Sequence, residues 1–177
     1  MERILNQHHN LNSFTYVFSR LFERAAYYGL RTLIILYLTG VSFKMSTDEV
    51  FVFYSWFTTA LIFSGVIGAV LGDLVIGNKK AMILGGVLQT IGAFALCLPT
   101  HIALYIGLGL VVLGGGLYTS NLISSFGKSY LNRHKLLDSA FLIKYFAVNL
   151  GSFIGVLSIG YIGETYNYNY GFFWQAF

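Results

Sequence analysis

Five continuous apolar segments of about 19 to 25 residues occupy most of this 177-residue chain. An α-helix needs ~20 residues to cross the ~30 Å of hydrocarbon in a bilayer. The segments lie at about 14–38, 50–72, 80–98, 102–125 and 139–162. They do not alternate with a period of two, which favours helices over barrel strands, and a helix satisfies its own backbone polar groups in lipid. The sequence therefore predicts an all-α membrane protein.

Composition agrees with this prediction, because 56% of the residues are hydrophobic and only 10% are charged. That leaves too little polar surface to coat a soluble globule of this size. A sixth apolar segment begins near Tyr170 and is still apolar at Phe177. We therefore expect five full transmembrane helices and the start of a sixth, as in a fragment of a longer bundle.

The loops predict an orientation, since cytoplasmic loops collect lysine and arginine. The basic residues that fall on one side when the spans alternate are Arg3, Lys79, Lys80, Lys128, Arg133 and Lys135. Lys44 is the one basic loop residue on the other side. We expect a multi-pass protein of the plasma (inner) membrane with a cytoplasmic N-terminus. The first span is too long and too charged for a cleavable signal.

Several other function classes find little support. His8 and His9 are neighbours in a polar tail without a further ligand nearby, so no metal is expected. The mid-span residues offer neither a buried Ser-His pair nor two acids, which argues against an intramembrane hydrolase. We expect no enzymatic activity, cofactor or nucleic-acid partner.

Glycines recur at spacings that suit close helix packing. Gly68 stands with Gly72, Gly151 with Gly155, and three glycines occupy 114–116. No strand precedes these glycines and no GKS or GKT follows them, so a phosphate cradle is not indicated. Inside apolar spans, such glycines let helices approach closely.

Charged residues interrupt the first span. On a helix, Arg20, Glu23, Arg24, Tyr27 and Arg31 share a stripe about 100° wide. Each charge costs ~2.5–3.5 kcal/mol near the bilayer centre, so the span needs polar partners or a water-filled cavity on that side. Three arginines against one glutamate favour an anionic ligand such as a carboxylate. An i,i+3 pair between Arg20 and Glu23 with snorkelling arginines is the alternative, but it suits the deeper Arg24 and Arg31 poorly.

The loop after the second span fits the pattern D-x-x-x-G-x-K-K with Asp73, Gly77, Lys79 and Lys80. A glycine lets the chain reverse its direction tightly, and the lysines are suited to the inner membrane interface. Asp73 can cap a helix end or pair with a basic group on a neighbouring helix. A lipid anchor would need the lysines but not the aspartate, so we favour a gating contact.

The fifth span carries two polar residues. Asn149 lies near mid-membrane and either joins two helices or contacts substrate. Lys144 lies about two turns into the helix, where snorkelling to the cytoplasm is favoured over lining the cavity.

Together these stretches resemble the proton-coupled oligopeptide transporter family of the major facilitator superfamily. The matching stretches are ERAAYYGLR (23–31), GDLVIGNKK (72–80), GLGLVVLGGGLYTSN (107–121), DSAFLIKYFAVNLGSF (138–153) and GYIGETYNYNYGFFW (160–174). The resemblance implies the N-terminal six-helix half of a transporter that couples proton entry to uptake of small peptides or related anionic solutes by alternating access. The missing C-terminal half of the same transporter would then be a partner, beside the lipid bilayer.

The resemblance also implies roles for particular residues. Substrate contacts are implied for Arg31, Tyr27 and Asn149. Proton coupling is implied for Glu23 and Arg24, with Arg20 in the position of the motif's first glutamate. The gating loop would comprise Asp73, Gly77, Lys79 and Lys80.

The sequence departs from the family pattern mainly in where its charged residues stand. Arg20 replaces a glutamate, and Thr119 stands where the fourth-span motif G-x-x-K-P-N has lysine, with Ser120 for proline and Asn121 retained. Ile62 occupies a second-span position that is often tyrosine. A positive charge has thus moved from the fourth helix to the first, as in a compensatory exchange.

A mechanism follows as a hypothesis. Glu23 pairs with Arg20 or Arg24 when ionised, and its protonation frees an arginine for a substrate carboxylate. A non-transporting sensor or a degenerate fragment with the transporter fold is the alternative. A voltage sensor is disfavoured, because its arginines would recur at every third residue.

Overall fold

The computed structural model describes residues 11–40, 43–132, 134–166 and 168–176, and within these ranges the chain is helical with no strand. The helices are α1 Leu11–Thr39, α2 Thr47–Leu71, α3 Asn78–Leu96, α4 His101–Lys128, α5 Leu137–Thr165 and α6 Tyr168–Gln175. A π-helical turn, Gly72–Ile76, extends α2, and a 3-10 turn, His134–Leu136, precedes α5. The predicted all-α fold is confirmed. Arg3, His8, His9 and Arg133 lie outside the described residues.

Side-chain caps define two helix starts. Ser46 and Glu49 form a capping box at α2, in which the Ser46 amide donates to Glu49 at 2.8 Å and the Ser46 hydroxyl accepts from the Glu49 amide. The Thr100 hydroxyl accepts from the Ala103 amide at 3.2 Å and starts α4. Both caps satisfy backbone donors that the helix itself leaves unpaired.

Three of the described helices are long and apolar enough to cross a membrane: Thr47–Ile76, His101–Lys128 and Leu137–Thr165. Composition alone does not single out α1, because the four charges of its stripe interrupt it. It does not single out α3 either, since that helix has only 19 residues and carries Lys79 and Lys80 in its first turn.

The helices form two packed groups. In one group α5 and α6 pack on α1, and in the other α2 and α3 pack on α4. Glycines permit the closest approaches, as predicted: a Cβ on Gly155 would lie 2.7 Å from the Ala25 Cα, and one on Gly68 would meet the backbone of Gly116. Small residues at such crossings let two helix backbones come into contact. This close packing matters in lipid, because no hydrophobic effect drives helices together there.

The two groups also share a core at one end. Leu30, Leu33 and Ile34 of α1 are fully or almost fully buried there, against Leu108 of α4 and Phe172 of α6. The residues of the charged stripe up to Arg24 precede this core along α1. A second apolar cluster, around Phe126 of α4, contacts α1 and α5 on the other side of the stripe, so the polar part of the contact lies between two apolar ones.

We predict that Gly155→Ala destabilises the protein by roughly 1–3 kcal/mol through overpacking against α1. Gly109→Ala is the matched control, because a Cβ on Gly109 meets nothing within 4 Å. That control should change stability by less than about 1 kcal/mol. Thermal unfolding of the purified protein measures both, and equal melting temperatures would contradict the α1–α5 contact.

Candidate functional site

Two arginines clamp the Glu23 carboxylate. The Arg20 Nη1 donates to Glu23 Oε2 at 2.8 Å, and the Arg24 Nε donates to the same oxygen at 2.7 Å. Arg24 also donates from Nη2 to Oε1. The side chains of Arg20 and Glu23 are only 8% and 7% exposed. The i,i+3 pair that the sequence predicts is therefore present, and the group of three keeps one excess positive charge.

Thr119 of α4 joins this charge network from the other group of helices. Its hydroxyl accepts from Arg20 Nη1 at 3.1 Å and lies 3.1 Å from Glu23 Oε1, to which it can donate. Arg24 Nη2 lies 3.4 Å from the same hydroxyl. The structure therefore brings together the two positions at which the sequence departs from the family pattern of charges.

Further along the stripe, Tyr27 lies between two arginines. The Arg24 Cζ is 4.5 Å from the centre of the Tyr27 ring, and the Arg31 Cζ is 5.6 Å from it. The Arg31 Nε donates to the hydroxyl of Tyr54 on α2. None of the ion pairs among the described residues involves Arg31. Arg31 therefore keeps a positive charge that no carboxylate of the described chain offsets.

A cavity with polar and apolar lining lies against the stripe, bordered by α1, α2, α3 and α4. It measures about 190 Å³, and its lining includes Glu23, Arg24, Tyr27, Thr58, Gln89 and Thr119. Ile62, at the position that is often tyrosine in the family, also borders it. The polar partners that the first span needs are thus Thr119, Tyr54 and this cavity.

Asn149 and Lys144 of α5 do not join these contacts. The exposed Asn149 amide donates to the Tyr145 carbonyl of its own helix at 2.9 Å. The Lys144 Nζ lies 4.2 Å from the centre of the Phe141 ring, also on α5. Of the three residues predicted to contact substrate, Tyr27 and Arg31 lie close together in the structure. The side chain of Asn149 does not join them and is hydrogen-bonded within its own helix.

The connection between α2 and α3 is tied to α4. Asp73 accepts from the side-chain amide of Asn78 at 2.8 Å and pairs with Lys128 of α4 at 3.3 Å, which is one of the two kinds of contact that the sequence allows for it. Gly77 has φ +83°, a backbone conformation that favours glycine, and α3 begins directly after it. Lys79 and Lys80 are exposed.

Asn121 anchors this connection from within the bundle. Its fully buried amide donates at 2.8 Å to the carbonyls of Gly68 and Leu117 and accepts from Asn78 at 2.8 Å. A Cβ on Gly72 would overlap this side chain. In the sequence, Asn121 stands out only as a retained motif residue. Its link to the α2–α3 connection depends on contacts between helices that local spacing does not reveal.

We predict that Asn121→Leu lowers the free energy of unfolding by about 1–3 kcal/mol, because it leaves buried polar groups unpaired. Asn149→Leu is the matched control, since its amide bonds only its own helix and is exposed. Thermal unfolding of both purified variants measures the difference. Equal stability of the two variants would contradict an anchoring role for Asn121.

A family model described as the POT family matches residues 79–174, more than half of the chain. The chain belongs to the POT family. It is similar to dipeptide and tripeptide permease A of Pectobacterium carotovorum, with 33% identity over 90% of this chain and 32% of the relative. It is also 33% identical to the uncharacterized transporter YclF of Bacillus subtilis, over 93% of this chain and 34% of that protein.

Solved POT structures share the fold. The crystal structure of a peptide transporter POT in complex with sulfate superposes with a TM-score of 0.90 at 33% identity, over 95% of this chain and 35% of that one. A POT family transporter in complex with 5-aminolevulinic acid gives a TM-score of 0.90 at 26% identity, over 95% and 36%. The bundle is thus an integral-membrane, major facilitator-type fold, and the chain spans about a third of the length of these POT relatives.

Proposed function

We propose that this chain forms the N-terminal six-helix bundle of a longer proton-coupled transporter for di- and tripeptides or related anionic solutes. The observation that carries the proposal is the charge network at the cavity, where Glu23 is clamped by Arg20 and Arg24 while Arg31 lacks an acidic partner among the described residues. The permease and transporter names of the POT relatives support it. The transporter's C-terminal half would complete the site.

The mechanism assigns coupling to Glu23, Arg24 and Arg20. The ionised Glu23 satisfies both guanidinium groups, and a proton on it removes the charge that holds them. A released arginine then needs another anion, which the substrate carboxylate supplies. Substrate contacts are proposed for Arg31, Tyr27 and Asn149. The gating loop comprises Asp73, Gly77, Lys79 and Lys80.

The proposed orientation has a cytoplasmic N-terminus in the plasma (inner) membrane. It is supported by the basic residues where α3 begins and α4 ends, at Lys79, Lys80 and Lys128, since cytoplasmic loops are enriched in lysine. The contact of Lys128 with Asp73 places these two ends on one side of the bundle.

Uptake by liposomes tests the proposed function. The complete protein is reconstituted, and accumulation of a labelled dipeptide is followed with and without an inward proton gradient. We expect accumulation only with the gradient, and competition by a second, unlabelled dipeptide. Binding without accumulation would favour a non-transporting sensor. If no peptide tested is bound or accumulated, transport of di- and tripeptides is refuted.

A further inference from the structure

Tyr54 of α2 is the hydrogen-bond acceptor that the described residues offer to the Arg31 guanidinium. The bond crosses from α1 to α2, and it uses Nε, one of the three nitrogens of the guanidinium. The Arg31 Cζ also lies 5.2 Å from the centre of the Tyr54 ring. A single side chain on α2 thus provides both a polar and an aromatic contact to Arg31.

Two more rings surround the same cation. The Arg31 Cζ is 5.6 Å from the centre of the Tyr27 ring and 5.7 Å from that of Tyr28. Distances below ~6 Å permit a cation–π attraction, which acts through the face of the ring. The Nη1 and Nη2 groups remain, and they lie at the end of the guanidinium opposite to Nε.

We propose that Tyr54 is a positioning residue, which fixes Arg31 so that its Nη1–Nη2 edge receives the substrate carboxylate. This inference rests on the proposed function. A guanidinium can bind a carboxylate in a bidentate manner through either its Nε–Nη side or its Nη–Nη end. With Nε held by Tyr54, the Nη–Nη end is the edge that stays available.

Tyr54→Phe removes the hydroxyl acceptor and keeps the ring, so it tests the hydrogen bond alone. Liposome uptake is compared for a dipeptide with a free carboxylate and for the same dipeptide as its C-terminal amide. We expect about a tenfold rise in KM for the free dipeptide, the effect of losing ~1.4 kcal/mol. The maximal rate and the KM of the amide should change by less than about twofold.

Matched variants separate positioning from structural damage. Tyr161→Phe removes an exposed hydroxyl from α5 and should leave both KM values unchanged. Tyr54→Gln restores an acceptor without the ring and should recover part of the preference for the free carboxylate. In an Arg31→Lys background, Tyr54→Phe should have no further effect, because lysine has no Nε to hold.

An equal rise in KM for both peptides, or a tenfold effect of Tyr54→Phe that persists with Arg31→Lys, would overturn the positioning role. If the unmodified protein takes up neither peptide, the proposed function fails. The orientation of Arg31 is then measured separately, through its rate of modification by phenylglyoxal. We expect a severalfold faster reaction in Tyr54→Phe, since a released side chain is more accessible, and an unchanged rate would overturn the inference.

Discussion

Glu23→Gln is expected to abolish proton-driven accumulation of dipeptide in liposomes. Glutamine has a similar shape and can still accept hydrogen bonds from Arg20 and Arg24, but it cannot take up and release a proton. The two guanidinium groups also lose their one carboxylate, and removal of one partner from a buried pair costs about 3–5 kcal/mol. Accumulation should therefore fall to the level of protein-free liposomes when an inward proton gradient is applied.

Exchange of labelled for unlabelled dipeptide without a gradient separates coupling from misfolding. A folded Glu23→Gln protein should retain some exchange, because Arg31 and Tyr27 are unchanged. Glu164→Gln is the matched control, since it makes the same chemical change at an exposed acid in the last turn of α5. Gradient-driven uptake that is unchanged in Glu23→Gln would refute the coupling role of Glu23.

Thr119→Lys alone should strongly reduce both stability and uptake, and Arg20→Glu should restore them in the double variant. A lysine at 119 would add a third cation beside Arg20 and Arg24, whose two charges already face one carboxylate. In the double variant, two acids face two bases. We expect a coupling free energy of about 2 kcal/mol between the two sites, which is within the range for residues of one network.

The double-mutant cycle is measured by thermal unfolding and by uptake. Thr90→Lys provides the matched control, because the Thr90 hydroxyl donates to the Gly86 carbonyl of its own helix. Any loss of stability or uptake that Thr90→Lys causes should not be reversed by Arg20→Glu. If the effects of Thr119→Lys and Arg20→Glu are additive, the charges at the two positions are not coupled, and the expected compensation is absent.

Local spacing in the sequence was enough to predict the helices and part of the charge network. The apolar runs fall within or close to the observed helices, although α5 continues to Thr165 and α6 begins at Tyr168. Hydropathy weakens at helix ends, whereas hydrogen bonding continues through polar residues. The i,i+3 spacing likewise predicted the pair of Arg20 and Glu23, because helix geometry alone brings these side chains together.

Contacts between helices were harder to predict. Tyr54 lies in an aromatic stretch of α2, FVFYSW, where nothing distinguishes it from its neighbours. Its role depends on which turn of α2 faces Arg31. The partners of Asn121 depend in the same way on how deeply α4 sits against Gly68 and Gly72. For Asn149 the family motif predicted a substrate contact, and that role stays a prediction.

The boundary between the two helix groups places a polar seam between two apolar contacts. Leu30 of α1 and Leu108 of α4 share one apolar core, and Phe126 of α4 packs on Phe141 of α5 in the other, so moving the groups apart at either place would expose apolar surface. Where Thr119 meets Arg20 and Glu23, water can replace each hydrogen bond that is broken. We therefore expect water to enter the boundary beside Glu23 more readily than at either apolar contact.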